Sequence, residues 1–149
     1  MDKLFLRKNI LYISIVVFLF FLDRLTKIYI LNYVEDNGSI NIYVNQFLNL
    51  ILVWNTGIGF GLLSSDSNFI YNLTTFTIFA VISSLVYFMI VSEIYEKTIF
   101  ALIIGGALGN FYDRIAFKAV PDFIDLHYKN FHWFTFNIAD IFITIGIIF

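Results

Sequence analysis

The chain of 149 residues contains no cysteine, a single proline and little charge. Without cysteine it forms no disulfide, has no thiolate nucleophile and offers no Cys-based zinc site. Charged residues make up 13% of the chain, whereas they make up about a quarter of an ordinary soluble domain, and 60% of the residues are hydrophobic. This composition is typical of an integral membrane protein. The length predicts one domain over residues 1–149.

The charge that is present excludes nucleic acid as a partner. Nine basic and eleven acidic residues give a net charge of −2, and the basic residues are scattered along the chain. A protein that binds nucleic acid needs a clustered basic surface, which this sequence does not supply.

Four apolar segments predict transmembrane helices, because each approaches the roughly 20 residues that cross a bilayer core. They are residues 10–31, 69–91, 99–117 and 134–149. The last is short, since 16 residues of helix reach only about 24 Å. We therefore expect an α-helical membrane protein with four transmembrane helices, separated on one side by loops over residues 32–68 and 118–133.

The orientation follows from the basic residues near the first apolar segment. Lys3, Arg7 and Lys8 precede it, whereas residues 32–68 contain neither lysine nor arginine. Because Lys and Arg favour the cytoplasmic side, we expect both termini to be cytoplasmic and both of those loops to be extracytoplasmic.

The first loop carries strand-like segments followed by glycines. Ile40–Val44 and Phe47–Trp54 are rich in β-branched, aromatic and leucine residues, which predicts a small extracytoplasmic sheet. Beyond them, glycines at alternate positions 57, 59 and 61 indicate either a tight turn or the close approach of a bound peptide backbone. On the second interpretation Gly57 is a candidate substrate contact.

Polar residues in the first and third helices occur at spacings that bring them together. Asp23 and Lys27 are four residues apart on one helix, a spacing that predicts an ion pair. Asn110 and Asp113 share a helical face, next to Arg114. Because unpaired polar groups are costly in lipid, these residues either satisfy one another or contact a substrate. Ala101, Gly105 and Gly109 form a small-residue stripe that predicts close helix packing.

Asp122 lies in the loop before the last predicted helix, and Asp140 lies near the start of that helix. A carboxylate in the bilayer costs about 2.5–3.5 kcal/mol, so a pair at one interface calls for a function. Two carboxyl groups that share a proton activate water, as in aspartic proteases. Asn137, three residues before Asp140, is placed to donate to a carboxylate or a substrate. Spacing alone does not distinguish Asp125 from Asp122 as the carboxylate that pairs with Asp140.

The two carboxyl groups predict a membrane-embedded aspartic peptidase, and two other interpretations compete with it. His127 and His132 lie near the aspartates, but no metal-binding spacing such as H-E-x-x-H is present, and we expect no metal and no cofactor. A small membrane transporter or proton channel would also use intramembrane carboxylates, although it usually carries an inverted repeat, which we do not find.

Five ordered sequence blocks resemble the bacterial lipoprotein signal peptidases, the signal peptidase II family. The blocks are D-R-L-T-K at 23–27, N-T-G-I-G-F-G at 55–61, G-A-L-G-N-F-Y-D-R at 106–114, V-P-D-F-I-D at 120–125 and F-N-I-A-D at 136–140. The resemblance implies that Asp122 and Asp140, rather than Asp125, are catalytic. It implies substrate contacts at Asn55, Asn110, Arg114 and Asn137, and supporting polar roles for Asp23, Lys27 and Asp113.

The same resemblance implies an activity and a location. Members of this family remove signal peptides from prolipoproteins, cleaving before a cysteine that carries diacylglycerol. It implies four transmembrane helices with an outward-facing β-cradle in the bacterial cytoplasmic (inner) membrane, and an active site near the outer face. We expect a monomer whose partners are lipid-modified prolipoproteins and membrane lipid.

Overall fold

Four helices and one four-stranded sheet make up the computed structural model, which describes residues 3–57 and 68–149, with side chains from residue 9 onward and again from residue 69. The elements in chain order are α1 (Lys3–Asn37), β1 (Asn41–Asn45), β2 (Leu48–Asn55), α2 (Asn68–Val91), α3 (Ile94–Phe117), β3 (Val120–Tyr128), β4 (Phe131–Phe136) and α4 (Ile138–Ile148). The predicted Gly59 and Gly61 lie outside the described residues.

Helix α3 is the centre of the helical layer and packs against α1, α2 and α4. Its core with α1 consists of Tyr12, Val16, Ala101 and Ile104. Within the described residues, two helices are long and apolar enough to cross a membrane, over Phe69–Val91 and Ile94–Phe117. Helix α4, at 11 residues, reaches only about 16 Å of the roughly 30 Å hydrocarbon core.

The first and third helices extend beyond their predicted bounds. Helix α1 continues to Asn37, so residues 32–37 are not loop, and it ends because Gly38 adopts a φ of 79° and donates its N–H to the Val34 carbonyl at 2.8 Å. Helix α3 begins at Ile94 rather than residue 99, because Glu93 and Glu96 form a capping box.

The prediction that the last helix starts at residue 134 is wrong. Residues Phe131–Phe136 form strand β4, and α4 starts only at Ile138. The boundary lies there because Asn137, in extended conformation, caps the helix by accepting the Asp140 N–H. Residues 118–133 are likewise not an irregular loop, since most of them belong to the β3–β4 hairpin.

The sheet is antiparallel throughout, in the order β1-β2-β3-β4. The prediction of strands over residues 40–44 and 47–54 is confirmed by β1 and β2. The sheet is joined to α1 by a second core of Ile30, Ile40 and Phe123. Because β3 pairs with β2 and β4 while Phe123 packs into that core, this strand fixes the position of Asp122 above the helices.

Glycines of α3 let the neighbouring helices approach closely, as the small-residue stripe predicted. A Cβ at Gly105 would lie 2.8 Å from the Leu19 Cβ of α1, and one at Gly109 would overlap the Asp23 carboxylate. A Cβ at Gly106 would lie 2.5 Å from the backbone oxygen of Ala139, where α4 begins. Gly106 therefore allows α4, and the residues at its start, to reach α3.

Replacing Gly106 by alanine is expected to lower the melting temperature of the purified protein. The added methyl meets backbone that cannot rotate away, and overpacking of this kind costs about 1–3 kcal/mol. Thr98→Ala is the control, because this residue of the same helix is exposed and surface substitutions usually change stability by less than about 0.5 kcal/mol. Scanning fluorimetry in detergent should rank Gly106→Ala as the less stable variant; equal melting temperatures would contradict the described α3–α4 contact.

Candidate active site

Asp122 lies on β3, where its side chain is 2% exposed and both carboxyl oxygens accept hydrogen bonds. The Asn55 amide, at the end of β2, donates to Oδ2 at 2.9 Å. The Asn137 amide donates to Oδ1 at 2.6 Å. Asn55 is itself fixed, because its Oδ1 accepts the Gly57 N–H at 2.9 Å. The carboxyl group is thus held on two sides by amide groups that are already oriented.

Asp140 is the third residue of α4 and belongs to the capping box of that helix. Its Oδ2 accepts the backbone N–H of Asn137 at 3.1 Å, while its own N–H donates to Asn137 Oδ1 at 3.2 Å. Its Oδ1 accepts the side-chain amide of Asn110 on α3 at 2.8 Å. The helix cap that starts α4 therefore also orients this carboxyl group.

Asn137 brings the two aspartates together. Its side-chain nitrogen contacts Asp122, its backbone nitrogen contacts Asp140, and the residue is fully buried. The sequence placed Asn137 and Asp140 on one face of a helix; their contact is instead a helix cap. Both predicted catalytic residues and a predicted substrate contact thus meet at one point.

Burial is the main cause that raises the pKa of Asp122, to about 6, and the nearby charge of Asp140 adds to it. The hydrogen bonds from Asn55 and Asn137 act in the opposite direction, since they stabilise the carboxylate. A carboxyl group that titrates near neutrality is able to exchange a proton during a reaction, which an ordinary exposed aspartate does poorly.

Lys27 is the centre of a buried polar network beneath this pair. Its fully buried ammonium donates to Asp23 at 2.8 Å, Asp113 at 2.7 Å and Asn110 at 2.8 Å. The predicted Asp23–Lys27 pair is present, and it extends to α3. Because Asn110 accepts from Lys27 and donates to Asp140, the network reaches the candidate site directly.

Arg24 is a member of the network that the sequence analysis did not single out. Its Nη1 lies 2.6 Å from Asp113 Oδ1, and its guanidinium lies over the Tyr112 ring at 4.9 Å. Two basic and two acidic side chains therefore neutralise one another below the site. In the sequence, the position of Arg24 next to Asp23 was the feature that could have indicated its place in the network.

Asp23 has a second role at the start of α4. Its Oδ1 accepts the backbone N–H of Ala139 at 3.1 Å, across 116 residues of sequence. A carboxylate at a helix N-terminus is favourable, because it satisfies a free N–H and meets the positive end of the helix dipole. The contact ties α1 to the residue immediately before Asp140.

Arg114 connects α3 to the segment after β2. Its Nη2 donates to the Gly57 carbonyl, while the Tyr71 hydroxyl of α2 donates to the Arg114 carbonyl. Its Nη1 is buried and has no hydrogen-bond partner among the described residues. Of the predicted substrate contacts, Asn55, Asn110 and Asn137 touch the two aspartates, whereas Arg114 and Gly57 pair with each other beside them.

The structure separates Asp125 from Asp122. The two are three residues apart on a regular strand, so their side chains project from opposite faces of the sheet. Asp125 contacts His132 at 2.8 Å, and no hydrogen bond joins it to Asn55, Asn137 or Asp140 within the described part of the chain. Of the two, Asp122 is the one that shares Asn137 with Asp140.

Comparison with known proteins gives one consistent result. The family described as Signal peptidase (SPase) II matches residues 15–149. A lipoprotein signal peptidase of Pelagibacter ubique (strain HTCC1062) is 51% identical over 99% of this chain and 89% of its own length. Those of Francisella tularensis subsp. novicida (strain U112) and Anaplasma phagocytophilum (strain HZ) are 40% and 38% identical, each over 96% of this chain and 90% of their own length.

Two solved bacterial membrane enzymes have the same fold. One, determined by the in meso method at 2.3 Å resolution, superposes with a TM-score of 0.75 and 32% identity over 92% of this chain and 82% of its own. The other, at 1.9 Å, gives 0.71 with the same identity over 92% and 87%. Together with the two long apolar helices, these similarities identify the chain as a membrane protein.

The raised pKa of Asp122 predicts a specific pH dependence of stability. Because the pKa of Asp122 in the folded protein exceeds the unfolded value of 3.8, protonated Asp122 contributes to the stability of the fold. This stabilisation is complete below pH 3.8 and is lost as the pH rises through about 6. The shift corresponds to about 3 kcal/mol. Asp122→Asn removes it, so from about pH 4 to about pH 8 the variant should gain that much stability relative to wild type. Melting temperatures across this range measure the difference; a constant difference would contradict the shift.

Lys27→Met is expected to destabilise the protein by about 3–5 kcal/mol, because it leaves the buried carboxylates of Asp23 and Asp113 without their shared cation. The exposed Lys129 gives the control: Lys129→Met removes only a surface cation–π contact with Tyr128 and should change stability by less than about 1 kcal/mol. Adding Asp113→Asn to Lys27→Met should restore part of the loss. Thermal unfolding in detergent tests this, and a Lys27→Met variant as stable as wild type would refute the network.

Proposed function

Because this chain belongs to the signal peptidase II family, we propose that it is an aspartic endopeptidase that removes signal peptides from prolipoproteins. The curated relatives are lipoprotein signal peptidases over nearly the whole chain. The proposed substrate is a prolipoprotein whose cysteine already carries diacylglycerol, and the cleaved bond precedes that cysteine. The proposed catalytic residues are Asp122 and Asp140.

The observation that carries this proposal is the convergence of the two carboxyl groups on Asn137. One accepts from the side chain of this residue and the other from its backbone. We infer that the two carboxyl groups share a proton near neutral pH, because the charge of Asp140 disfavours ionisation of Asp122. The raised pKa of Asp122 agrees with that behaviour.

The proposed reaction uses the shared proton of the pair. The ionised carboxylate removes a proton from a water molecule while the protonated one donates a hydrogen bond to the scissile carbonyl. The water oxygen bonds to the carbonyl carbon, which gives a tetrahedral intermediate. Its C–N bond then breaks as a carboxyl group protonates the leaving amine, and the pair is left with one proton again.

Four polar residues and one glycine surround the pair as proposed substrate contacts: Asn55, Gly57, Asn110, Arg114 and Asn137. Nη1 of Arg114 is the clearest, because it has no hydrogen-bond partner among the described residues and a buried donor without a partner is costly unless a ligand satisfies it. A carbonyl oxygen of the substrate backbone is the matching acceptor. The network of Asp23, Lys27 and Asp113 supports the site without contacting the substrate.

We propose that all four helices enter the membrane and that the site faces outward. If the N-terminus is cytoplasmic, then α1 and α3 both end at the outer side, where α4 begins. The sheet and the site residues all lie at those ends. The short α4 would enter the membrane without spanning its full thickness unless the bilayer is locally thinner. The protein would be a monomer of the bacterial cytoplasmic membrane.

The surface beside the pair suits a substrate that is itself partly in lipid. Val53 and Trp54 of β2 are almost half exposed, and Trp54 lies 5.9 Å from the Phe117 ring at the end of α3. An exposed apolar and aromatic surface next to buried carboxyl groups fits an acyl chain and an apolar signal helix. Membrane lipid is the expected second partner.

Asp122→Asn and Asp140→Asn, each alone, should lower the cleavage rate of purified enzyme at least about a hundredfold, because an amide supplies no acid or base. The assay uses a diacylglyceryl-modified prolipoprotein in detergent or lipid, with unmodified prolipoprotein as the second substrate. We expect cleavage of the modified substrate only.

Asp125→Asn is the matched control for these variants. It changes a buried aspartate of the same strand that projects from the other face of the sheet, so turnover of the folded variant should stay at the wild-type order of magnitude. Melting curves verify that each variant is folded. Turnover retained in Asp122→Asn or Asp140→Asn would eliminate the proposed pair.

A further inference from the structure

We propose that Asp125, His127 and His132 form a binding site for a divalent transition-metal ion such as Zn²⁺, on the sheet face opposite Asp122. The proposal does not depend on the peptidase mechanism, and it differs from the expectation drawn from the sequence, which contains no metal-binding spacing. The three side chains are brought together by the fold rather than by a local motif.

The ligand atoms are already close together. His132 Nδ1 lies 2.8 Å from Asp125 Oδ2, and His127 Nδ1 lies 3.5 Å from the same oxygen. One ligand atom from each residue falls within 4.8 Å of the others. Ligands at tetrahedral positions around zinc are about 3.4 Å apart, so small side-chain rotations would complete the site.

A β-bulge is responsible for this arrangement. Asp125 pairs with Thr135 in the β3–β4 ladder, but His127 pairs with His132 because one additional residue is inserted in β4. In an unbulged ladder His127 would face Trp133, and His132 would project from the other face of the sheet. The bulge thus directs His132 to the face that carries Asp125 and His127, where the two imidazole rings stack at 5.3 Å.

Burial and an unsatisfied nitrogen also indicate a ligand. The His127 side chain is 6% exposed, and its buried Nδ1 has no hydrogen-bond partner among the described residues. A buried polar atom without a partner is costly, and a metal ion would satisfy it. The His132 side chain is 55% exposed, so an ion could enter from solvent and retain water at its open position.

A bound ion would clamp the two strands that precede α4. Asp125 and His127 belong to β3, whereas His132 belongs to β4. The same hairpin carries Asp122 on β3 and leads directly into Asn137. We therefore assign the ion a stabilising role in holding the hairpin, with no part in activating water.

The small number of metal-binding side chains in this sequence makes a metal-binding experiment specific for this cluster. The chain has two histidines and no cysteine, so imidazole ligation of a metal arises only from this cluster. The full-length protein, purified in detergent through a tag without histidine and freed of metal with chelator, is titrated with Zn²⁺ by calorimetry and with Co²⁺ by visible absorption. We expect one equivalent to bind, with a Co²⁺ ligand-field band, and Zn²⁺ to raise the melting temperature.

His132→Gln is the decisive variant, since a half-exposed residue tolerates substitution. Mutation of a residue that only hydrogen-bonds to a metal ligand weakens metal binding about 10–100-fold. Loss of the ligand itself should therefore weaken binding at least about 100-fold and abolish the Zn²⁺-induced rise in melting temperature. Thr135→Val, on the same strand, should bind like wild type. Absence of binding to wild type, or equal binding by His132→Gln, would overturn the proposal. The experiment does not measure cleavage, so it tests the metal site even if the protein has no peptidase activity.

Discussion

The arrangement of the candidate site depends on one buried asparagine between a strand and a helix. Asn137 ends the β3–β4 hairpin, caps α4 and holds a carboxyl group with its side chain and another with its backbone. The Asn137 atoms that cap the helix also orient Asp140, so the start of α4 sets the geometry of the site. A change in where α4 begins would move Asp140 away from Asp122.

This arrangement is stable in an apolar protein because the charges below it are balanced. Lys27 and Arg24 of α1 face Asp23 and Asp113, and amide groups connect this neutral cluster to the aspartates above. Removing charges from water is costly unless each is paired, and here each of the four forms an ion pair, whereas Arg24 Nε and Nη2 have no hydrogen-bond partner among the described residues. The glycines of α3 allow this, since a side chain at Gly109 would occupy the space of the Asp23 carboxylate.

Sequence patterns predicted the elements whose signal is local. The uncharged α2 and the strand-rich β1–β2 segment were recognised because their patterns are uniform over many residues. The β3–β4 hairpin was missed because β3 is buried on both faces and interrupted by proline, aspartate and histidine, so it shows no alternation. The Asn137-x-x-Asp140 capping pattern in the sequence indicates where α4 starts. It determines the helix start even though the residues just before it are apolar.

The candidate site residues were inferred from a combination of chemistry and resemblance, and their catalytic roles stay a prediction. Spacing alone left Asp122 and Asp125 equivalent, and only the resemblance distinguished them before the strand geometry did. Contacts between distant segments had no local signal: Asp23 meets Ala139 across 116 residues, and the His127–His132 pairing requires a bulge. Such contacts depend on how the elements pack, which periodicity does not encode.

The proposed mechanism requires that Asp122 and Asp140 interact closely enough to affect each other's ionisation. The most direct test is an NMR titration of the Asp122 carboxyl carbon in wild type and in Asp140→Asn. We expect the pKa of Asp122 to be about 6 in wild type and lower in the variant, where the neighbouring charge is absent. An Asp122 with the same pKa in both proteins would show that the carboxyl groups do not act as a pair.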